Sequence, residues 1–252
     1  MTRALALLAL LLGLAAAPAA AGGFGPTGGV SGGGGEDEEL LADDLLEEAP
    51  LPEVSDPLEP VNRALFTVND RLYFWLLKPV ARTWRHLPEG VRIRVANFFD
   101  NLTAPVRVVN DTLQGKIGQA GNEIMRFLVN STLGIAGLWD VARLDPVLAR
   151  PPAEDFGQTL ARYGLGPGPY LVLPLLGPST VRDALARVVD GLLDPVVYLT
   201  DTTGYVGAKA ADVVNETSLD KDTYEAIKRE SLDPYLTIRD AYAQHRAAEI
   251  RR

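Results

Sequence analysis

The sequence predicts a predominantly helical fold. Apolar residues recur at helical spacing in several long segments, and no segment alternates between apolar and polar residues for long enough to require a sheet. After the first 21 residues there is no apolar run of about eighteen residues, so a conventional membrane-spanning helix is not expected. A chain of 252 residues can bury a core without disulfides or metal sites, and this one contains no cysteine.

Residues 1–21 have the pattern of a secretory signal. Arg3 supplies a positive charge, Ala4–Ala17 is apolar, and Ala19–Ala21 fits an A-x-A cleavage site. As a helix the apolar run would span about 21 Å, which is shorter than the roughly 30 Å hydrocarbon core of a bilayer. We therefore expect export and cleavage, with a mature protein that begins near Gly22.

Residues 22–59 are expected to form a disordered tether. Gly22–Gly35 holds nine glycines and no charge, and Glu36–Glu59 carries eleven of the 33 acids and no base. All bases except Arg3 lie after this stretch, so residues 60–252, the predicted helical domain, carry 23 bases and 22 acids. The formal charge of −9 therefore belongs to the tether. The negative balance argues against nucleic acid as a partner, because phosphate binding needs clustered bases.

Helical spacing of apolar residues extends from residue 61 to the C-terminus. The predicted segments are Val61–Lys78, which Pro79 is expected to end, Ile117–Leu133, Thr180–Leu193, Tyr205–Asn215, Asp222–Glu230 and Asp233–Ile250. Thr180 and Asp183 are spaced as a capping pair. The short runs Val91–Val95 and Tyr170–Leu173 are the candidates for extended structure.

The segment Ala64–Leu77 is rich in aromatic and aliphatic residues. Two interpretations stay open. The segment is either an ordinary core helix with an aromatic stripe, or a helix whose apolar side lies in a membrane interface, where Tyr and Trp are favoured.

The segment Asp155–Asp183 combines glycines and prolines with the apolar run Tyr170–Leu176. The prolines oppose a regular helix and the glycines permit tight turns, so we predict an irregular loop. An apolar loop of this kind should be buried in protein, line a cavity or contact lipid. Gly164, Gly166 and Gly168 do not match a dinucleotide-binding fingerprint, because no strand precedes them and prolines interrupt the turn.

Enzyme signatures are missing from the sequence. There is no G-x-S-x-G elbow, no H-E-x-x-H motif and no Walker A sequence, and the two histidines, His86 and His245, are far apart. We therefore expect no catalytic residues, no metal ligands and no cofactor.

Ordered blocks of the sequence resemble the MlaA (VacJ) family of outer-membrane lipid-asymmetry proteins. The blocks are Asp56–Arg63 with Phe66–Asn69, Lys78–Ala81 with Trp84–Arg85, Asn97–Leu102, Arg126–Gly134 with Gly137 and Asp140, Asp155–Leu160, Tyr163–Gly164, Gly168–Tyr170, Leu173–Pro174, and Ser231–Tyr235 with Arg239 and Tyr242. The resemblance covers roughly Ser55–Tyr242, and its specificity comes from the order of the blocks.

The resemblance implies a non-enzymatic role in phospholipid transport. Family members are ring- or disc-like, membrane-embedded helical domains in the inner leaflet of the outer membrane, on its periplasmic face, often beside a trimeric porin. They pass phospholipids misplaced in the outer leaflet through an amphipathic channel to a soluble periplasmic carrier, which maintains lipid asymmetry. The resemblance and the apolar composition together suggest channel or lipid-binding residues and membrane-contact residues. The expected channel residues are Phe66, Asn69, Leu133, Gly134, Gly137, Gly168, Tyr170, Leu171, Leu173, Pro174, Leu176 and Gly177, and the expected membrane-contact residues are Tyr73, Phe74, Trp75 and Trp84.

One departure from the family pattern concerns attachment to the membrane. Typical members are lipoproteins with a cysteine at the signal cleavage site, whereas this chain has no cysteine and a signal without a lipobox. Apolar surfaces or a porin partner would then hold it at the membrane. Two alternative functions remain open at this level, a soluble periplasmic lipid carrier and a secreted lipid hydrolase.

Overall fold

The computed structural model describes residues 54–220 and 222–252. Within this part of the chain the helices are α1 (Glu59–Leu72), α2 (Lys78–Trp84), α3 (Glu89–Leu102), α4 (Ala104–Leu113), α5 (Ile117–Thr132), α6 (Phe156–Arg162), α7 (Val181–Leu193), α8 (Val196–Leu199), α9 (Thr202–Leu219), α10 (Thr223–Glu230) and α11 (Pro234–Arg251). Short 3₁₀ turns at Ala142–Leu144 and Pro146–Leu148 lie between α5 and α6. The predominantly helical prediction is confirmed. The predicted signal and most of the predicted tether, residues 1–53, lie outside the described residues.

The folded body begins before the predicted boundary at Pro60. The side chain of Asn62 donates a hydrogen bond to Asp56 (2.8 Å), and the hydroxyl of Tyr235 donates another to the same carboxylate. The backbone N–H of Tyr170 donates to the carbonyl of Ser55 (2.8 Å). These contacts place the last residues of the predicted tether inside the packed structure.

A π-helical turn, Tyr73–Leu77, joins α1 to α2 without a break. In this turn the N–H of Lys78 donates to the carbonyl of Tyr73, five residues earlier. Pro79 follows immediately. A proline has no N–H to donate, and in a regular α-helix its ring clashes with the carbonyl four residues before it. The prediction that Pro79 ends the helix is therefore wrong, because the wider turn accommodates the proline and the helix continues to Trp84.

The Gly/Pro-rich segment contains a β-hairpin rather than an entirely irregular loop. Strand β1 (Tyr170–Leu173) pairs antiparallel with β2 (Gly177–Thr180), with Tyr170 opposite Thr180 and Leu173 opposite Gly177. Leu175 and Gly177 adopt positive φ angles of 65° and 74° at the turn between the strands. The expectation that Tyr170–Leu173 is extended is confirmed. Val91–Val95, the other candidate, lies inside α3, since Val91, Val95 and Phe98 continue a helical period that five residues alone do not reveal.

Two asparagines of α1 hold the outer edge of the hairpin. Asn62 donates to the carbonyl of Tyr170 (3.0 Å) and accepts from the N–H of Val172 (2.9 Å). Asn69 donates to the carbonyl of Leu173 (2.8 Å) and accepts from the N–H of Leu175 (2.8 Å). Seven helical residues rise about 10.5 Å, which matches the roughly 10 Å spanned by three strand residues. The two side chains thus replace a third strand.

Helix α7 begins at the predicted capping pair. Thr180 Oγ1 accepts a hydrogen bond from the N–H of Asp183 (3.2 Å) and donates to Asp183 Oδ2 (2.9 Å). Asp155, Asp201 and Asp233 cap α6, α9 and α11 in a similar way, with side-chain oxygens that accept from the first N–H groups of each helix.

The elements pack on one another in a closed circuit. Helix α1 contacts β1, β2 contacts α7, α7 contacts α6, and α6 contacts α4. Helix α4 contacts α3, α3 contacts α9, and α9 contacts α2, which continues from α1 through the π turn. A circuit of this kind is what a ring-like helical fold requires.

The interior of the protein is rich in polar side chains and its surface carries many large apolar ones, which is the reverse of an ordinary soluble domain. Among the described residues, buried polar and charged side chains outnumber buried hydrophobic ones roughly two to one. The interior contains ion pairs such as Arg107–Glu123 (3.0 Å) and Arg126–Asp140 (2.9 Å). The large hydrophobic side chains exposed by 70% or more are Trp75, Leu133, Leu144, Val147, Tyr163, Tyr198, Leu199 and Leu232. A polar interior with an apolar exterior is typical of a protein that contacts lipid.

Candidate functional site

An apolar cavity of about 550 Å³ lies between the α1–α2 helix, α9, α10 and the tip of the hairpin. Its walls are mostly aliphatic. The apolar residues that line it are Leu72, Leu76, Leu77, Val80, Leu175, Leu176, Val206, Ala210, Val213 and Val214. A cavity of this size and composition suits the hydrocarbon part of a ligand. We call it the apolar cavity below.

The polar side chains at the wall of the apolar cavity already have partners. The amide of Asn69 is engaged with the hairpin backbone, as described above. Burial raises the pKa of the Tyr73 and Tyr224 hydroxyls above their usual value, so both stay neutral at physiological pH. The remaining contacts are Tyr73 OH to Glu225 Oε1 (3.0 Å), Tyr224 OH to Asp70 Oδ1 (3.0 Å) and Lys209 Nζ to Asp194 Oδ2 (2.5 Å).

The predicted channel residues fall into four places. Asn69, Leu176 and Gly177 line the apolar cavity. Phe66 and Tyr170 instead belong to a buried aromatic cluster around Tyr235, with Phe66 at 5.8 Å and Tyr170 at 6.2 Å from its ring centre. The others in the hairpin region are Gly168, Leu171, Leu173 and Pro174, which do not line the apolar cavity. Gly168 borders a second cavity, of about 590 Å³, beside α11.

Leu133, Gly134 and Gly137 form the fourth group, in the turn after α5. The turn contains positive φ angles at Ile135 (50°), Ala136 (57°) and Gly137 (89°). A Cβ atom on Gly134 would lie 2.1 Å from the carbonyl oxygen of Trp139. The backbone at Trp139 therefore approaches Gly134 too closely for any side chain to fit at this position. The two glycines permit this turn, and the turn leaves Leu133 70% exposed.

Of the four predicted membrane-contact residues, one has a largely solvent-exposed side chain. Trp75 is 80% exposed. Tyr73 and Phe74 pack against Tyr224 of α10, with ring centres at 4.7 and 6.2 Å. Trp84 is half-buried and donates a hydrogen bond to Asn215 (3.0 Å). None of the helices in the described part of the chain is both long enough and apolar enough to cross a bilayer.

Sequence reasoning missed the contribution of α9 to the apolar cavity. Val206, Ala210, Val213 and Val214 supply one whole wall. Their spacing of four, three and one residues is a helical stripe that is visible in the sequence. Only the fold reveals that this stripe faces α1 and α2, more than one hundred residues earlier.

The two histidines lie apart on the surface. His86 is exposed and its Nδ1 lies 2.8 Å from the carbonyl of Thr83, and His245 pairs with Glu249 on α11 (3.2 Å). Within residues 54–220 and 222–252, no group of three or more histidines and acids is arranged to hold a metal ion.

Comparison with known proteins identifies the family. The profile of the MlaA lipoprotein family matches residues 54–249. The chain belongs to the MlaA lipoprotein family. It is 37% identical over 193 residues to the intermembrane phospholipid transport system lipoprotein MlaA of Escherichia coli K12, covering 75% of this chain and 76% of that protein. It is 36% identical over 200 residues to an uncharacterised protein of Rickettsia felis, covering 79% of each.

A solved structure of this family has the same fold. This solved structure comes from a study titled "Structural basis for maintenance of bacterial outer membrane lipid asymmetry". It matches the present structure with a TM-score of 0.70 at 36% sequence identity. It covers 78% of this chain and 99% of the other. The resemblance noted in the sequence to the MlaA family is thus confirmed over the helical body.

Proposed function

We propose that this protein is the outer-membrane component of an intermembrane phospholipid transport system. It takes up phospholipids that are misplaced in the outer leaflet and passes them toward the periplasm, which maintains lipid asymmetry. The single observation that carries the proposal is an apolar cavity set in a body whose interior is polar and whose exterior is apolar. The relatives named as phospholipid transport lipoproteins support it.

The energetics of phospholipid relocation explain why such a body is useful. Exposing two acyl chains, about 30 methylenes, to water costs about 0.8 kcal/mol each, or roughly 24 kcal/mol in all. Moving an unpaired headgroup charge through hydrocarbon also costs many kcal/mol. A protein with an apolar wall for the chains and a polar interior for the headgroup lowers both barriers without covalent chemistry.

We place the acyl chains in the apolar cavity, with the hairpin tip as one of its walls. Leu175 is 51% exposed at that tip, and Leu176 lines the cavity beside it. The backbone of the tip depends on Asn69, whose amide bonds both Leu173 and Leu175. The tip is therefore a partly exposed wall of the cavity, held in place by Asn69.

The membrane partner is the outer membrane, at its periplasmic face. Trp75 and the other exposed apolar side chains supply a surface that can contact lipid directly. We assign attachment to the membrane to this apolar surface. A trimeric porin and a soluble periplasmic lipid carrier complete the proposed set of partners, and a cleaved signal without a lipobox delivers the chain.

A charge in the apolar cavity tests the proposal. Leu176→Asp places a carboxylate on the cavity wall, and Gln244→Asp, at an exposed polar residue of α11 outside the cavity, is the control that adds the same charge. Both are expressed in a strain that lacks the gene, and outer-leaflet phospholipid is measured on intact cells with a membrane-impermeant amine reagent. We expect the wild type and Gln244→Asp to restore low outer-leaflet phospholipid and Leu176→Asp to fail. Full restoration by a folded Leu176→Asp protein would contradict the assignment.

A further inference from the structure

The second cavity, of about 590 Å³, lies beside α11 at the base of the hairpin. Its wall comes from the residues before α1, the loop before β1, the start of α7 and one side of α11. The apolar cavity lies at the other end of the hairpin, where Leu175, Leu176 and Gly177 line it. No described residue lines both cavities, so they are two separate spaces.

This second cavity combines an apolar wall with positive charge. The apolar residues that line it include Val54, Pro167, Pro169, Ala243, Ala247 and Ile250. Three arginines also line it, Arg182, Arg246 and Arg251, whereas no acid among the described residues does. We call it the basic cavity below.

Two acids outside the basic cavity hold two of its arginines in position. Arg182 Nε donates to Asp183 (3.0 Å), and Arg246 Nη2 donates to Asp155 (2.6 Å) and to Asp183 (3.2 Å). Burial opposes ionisation of Asp183, but attraction to Arg246 and hydrogen bonds from Arg182 and Tyr242 lower its pKa to about 2. Neither acid lines the cavity, so both guanidinium groups are oriented by partners outside it.

The basic cavity contains arginine donors for which the described chain supplies no acceptor. Arg182 is only 4% exposed, and its Nη2 donates to no described residue. The Nε of Arg246 is buried and also lacks a partner in this part of the chain. Arg251 is exposed and forms no ion pair within residues 54–220 and 222–252. An anionic ligand would supply acceptors and leave the existing ion pairs intact.

We infer that the basic cavity binds the phosphate and one acyl chain of a glycerophospholipid. A guanidinium group presents its N–H donors as a planar fork that matches phosphate oxygens. The phosphate would bind Arg182 and Arg251, which line the same cavity, and the chain would lie against Ala243, Ala247 and Ile250. A volume of about 590 Å³ is within the range of pockets that bury most of the surface of their ligand.

This inference rests on the proposed function, which supplies a lipid whose anionic group is a phosphate. It adds a binding site at the base of the hairpin to the apolar cavity at its tip. A bare phosphate ion would leave the apolar wall without a ligand, and an uncharged lipid would leave the arginine donors without acceptors. Tight binding therefore requires both groups on one molecule.

The first test compares two lipids that differ only in the phosphate. The full chain in detergent is titrated with 1-oleoyl lysophosphatidic acid or with monooleoylglycerol, and bound lipid is counted by native mass spectrometry. We expect the wild type to bind the phosphate lipid roughly tenfold more tightly. Equal binding of the two lipids would overturn the inference. Displacement of the phosphate lipid by an equal concentration of inorganic phosphate would also overturn it, because the site would then be one for free phosphate.

The second test changes the protein at two points of the basic cavity. Arg251→Gln should weaken binding of the phosphate lipid about fivefold, whereas Arg252→Gln removes the same charge outside the cavity and should have no effect. Ala247→Phe fills part of the cavity and should reduce binding at least tenfold, whereas Ala241→Phe, at an exposed alanine of α11 outside the cavity, should not. Arg251 and Ala241 are exposed, so neither of these two variants depends on core packing.

The outcome for Leu176→Asp separates this inference from the proposed function. Leu176 lines the apolar cavity and not the basic one, so this variant should still bind the phosphate lipid. Loss of binding in Leu176→Asp, with unchanged binding in Arg251→Gln and Ala247→Phe, would place the lipid in the apolar cavity. That result would overturn the inference and leave the proposed function intact. A wild-type protein that binds the phosphate lipid but does not restore low outer-leaflet phospholipid would instead contradict the proposed function and leave the site.

Discussion

The asparagine clamp between α1 and the hairpin makes a prediction whose size follows from the structure. Asn62→Ala removes the donor to the carbonyl of Tyr170 and the acceptor for the N–H of Val172. Tyr170 and Val172 are only 2% and 3% exposed, so water cannot replace the lost partners without opening the hairpin. Each buried backbone group left unsatisfied costs about 1–3 kcal/mol, which gives about 2–6 kcal/mol for the pair.

Asn69→Ala is the matched control from the same helix. It also frees two backbone groups, those of Leu173 and Leu175, but Leu175 is 51% exposed and water can hydrogen-bond there. We expect a loss of about 1 kcal/mol or less. The two variants remove the same side chain and the same number of hydrogen bonds to the backbone. They differ in burial and in the additional hydrogen bond from Asn62 to Asp56, whose carboxylate keeps the hydroxyl of Tyr235 as a donor.

Equilibrium unfolding in urea, followed by circular dichroism, measures both free energies. The expected result is a fall in the unfolding free energy that is several times larger for Asn62→Ala than for Asn69→Ala, with similar m-values. Equal losses in the two variants would refute the reasoning, because burial would then not decide the cost. A loss below about 1 kcal/mol for Asn62→Ala would refute it too.

Three further predictions concern pH, glycine geometry and membrane attachment. Burial raises the pKa of Asp190 and of Asp111 to about 7. Between about pH 4 and 7 the folded state therefore holds more protons than the unfolded chain. The free energy of unfolding consequently falls as the pH rises through this range. The melting temperature should therefore be lower at pH 7.5 than at pH 5, and Asp190→Asn should flatten this slope; an unchanged slope would contradict the cause given. Gly137→Ala, at a φ of 89° with its Cβ 2.4 Å from that of Asn101, should lower the melting temperature, whereas Gly118→Ala, inside α5 with no atom within 4 Å, should raise it slightly. Cell fractionation should release the mature protein from outer membranes with detergent but not with high salt, and recovery in the soluble periplasm would contradict attachment through apolar surfaces.

The sequence was sufficient for the features that depend on local pattern. The period of apolar residues predicted α5, α7, α10 and α11 to within a few residues of their ends, and the Thr180–Asp183 pair predicted the start of α7. These features depend on contacts between residues three and four apart, which a single sequence displays directly.

Features that depend on distant partners were not accessible in the same way. Pro79 lies within a continuous helix because of a π turn, and the register of the hairpin is held by Asn62 and Asn69, about one hundred residues away. The apolar wall that α9 supplies likewise becomes a cavity wall only because α1 and α2 pack opposite it. A single sequence does not show which helical stripes face each other, so the cavity wall formed by α9 was missed.

Occupation of the apolar cavity by phospholipid is the central claim, and photocrosslinking from within the cavity tests it most directly. A benzophenone side chain introduced at Val213, on the cavity wall, is compared with one at Gln244, on the exposed side of α11. After irradiation in native outer membranes and purification, the mass of each protein is measured. We predict a covalent adduct of phospholipid mass at Val213 and none at Gln244. No lipid adduct at Val213, or equal adducts at both positions, would contradict the claim that this cavity holds the transported lipid.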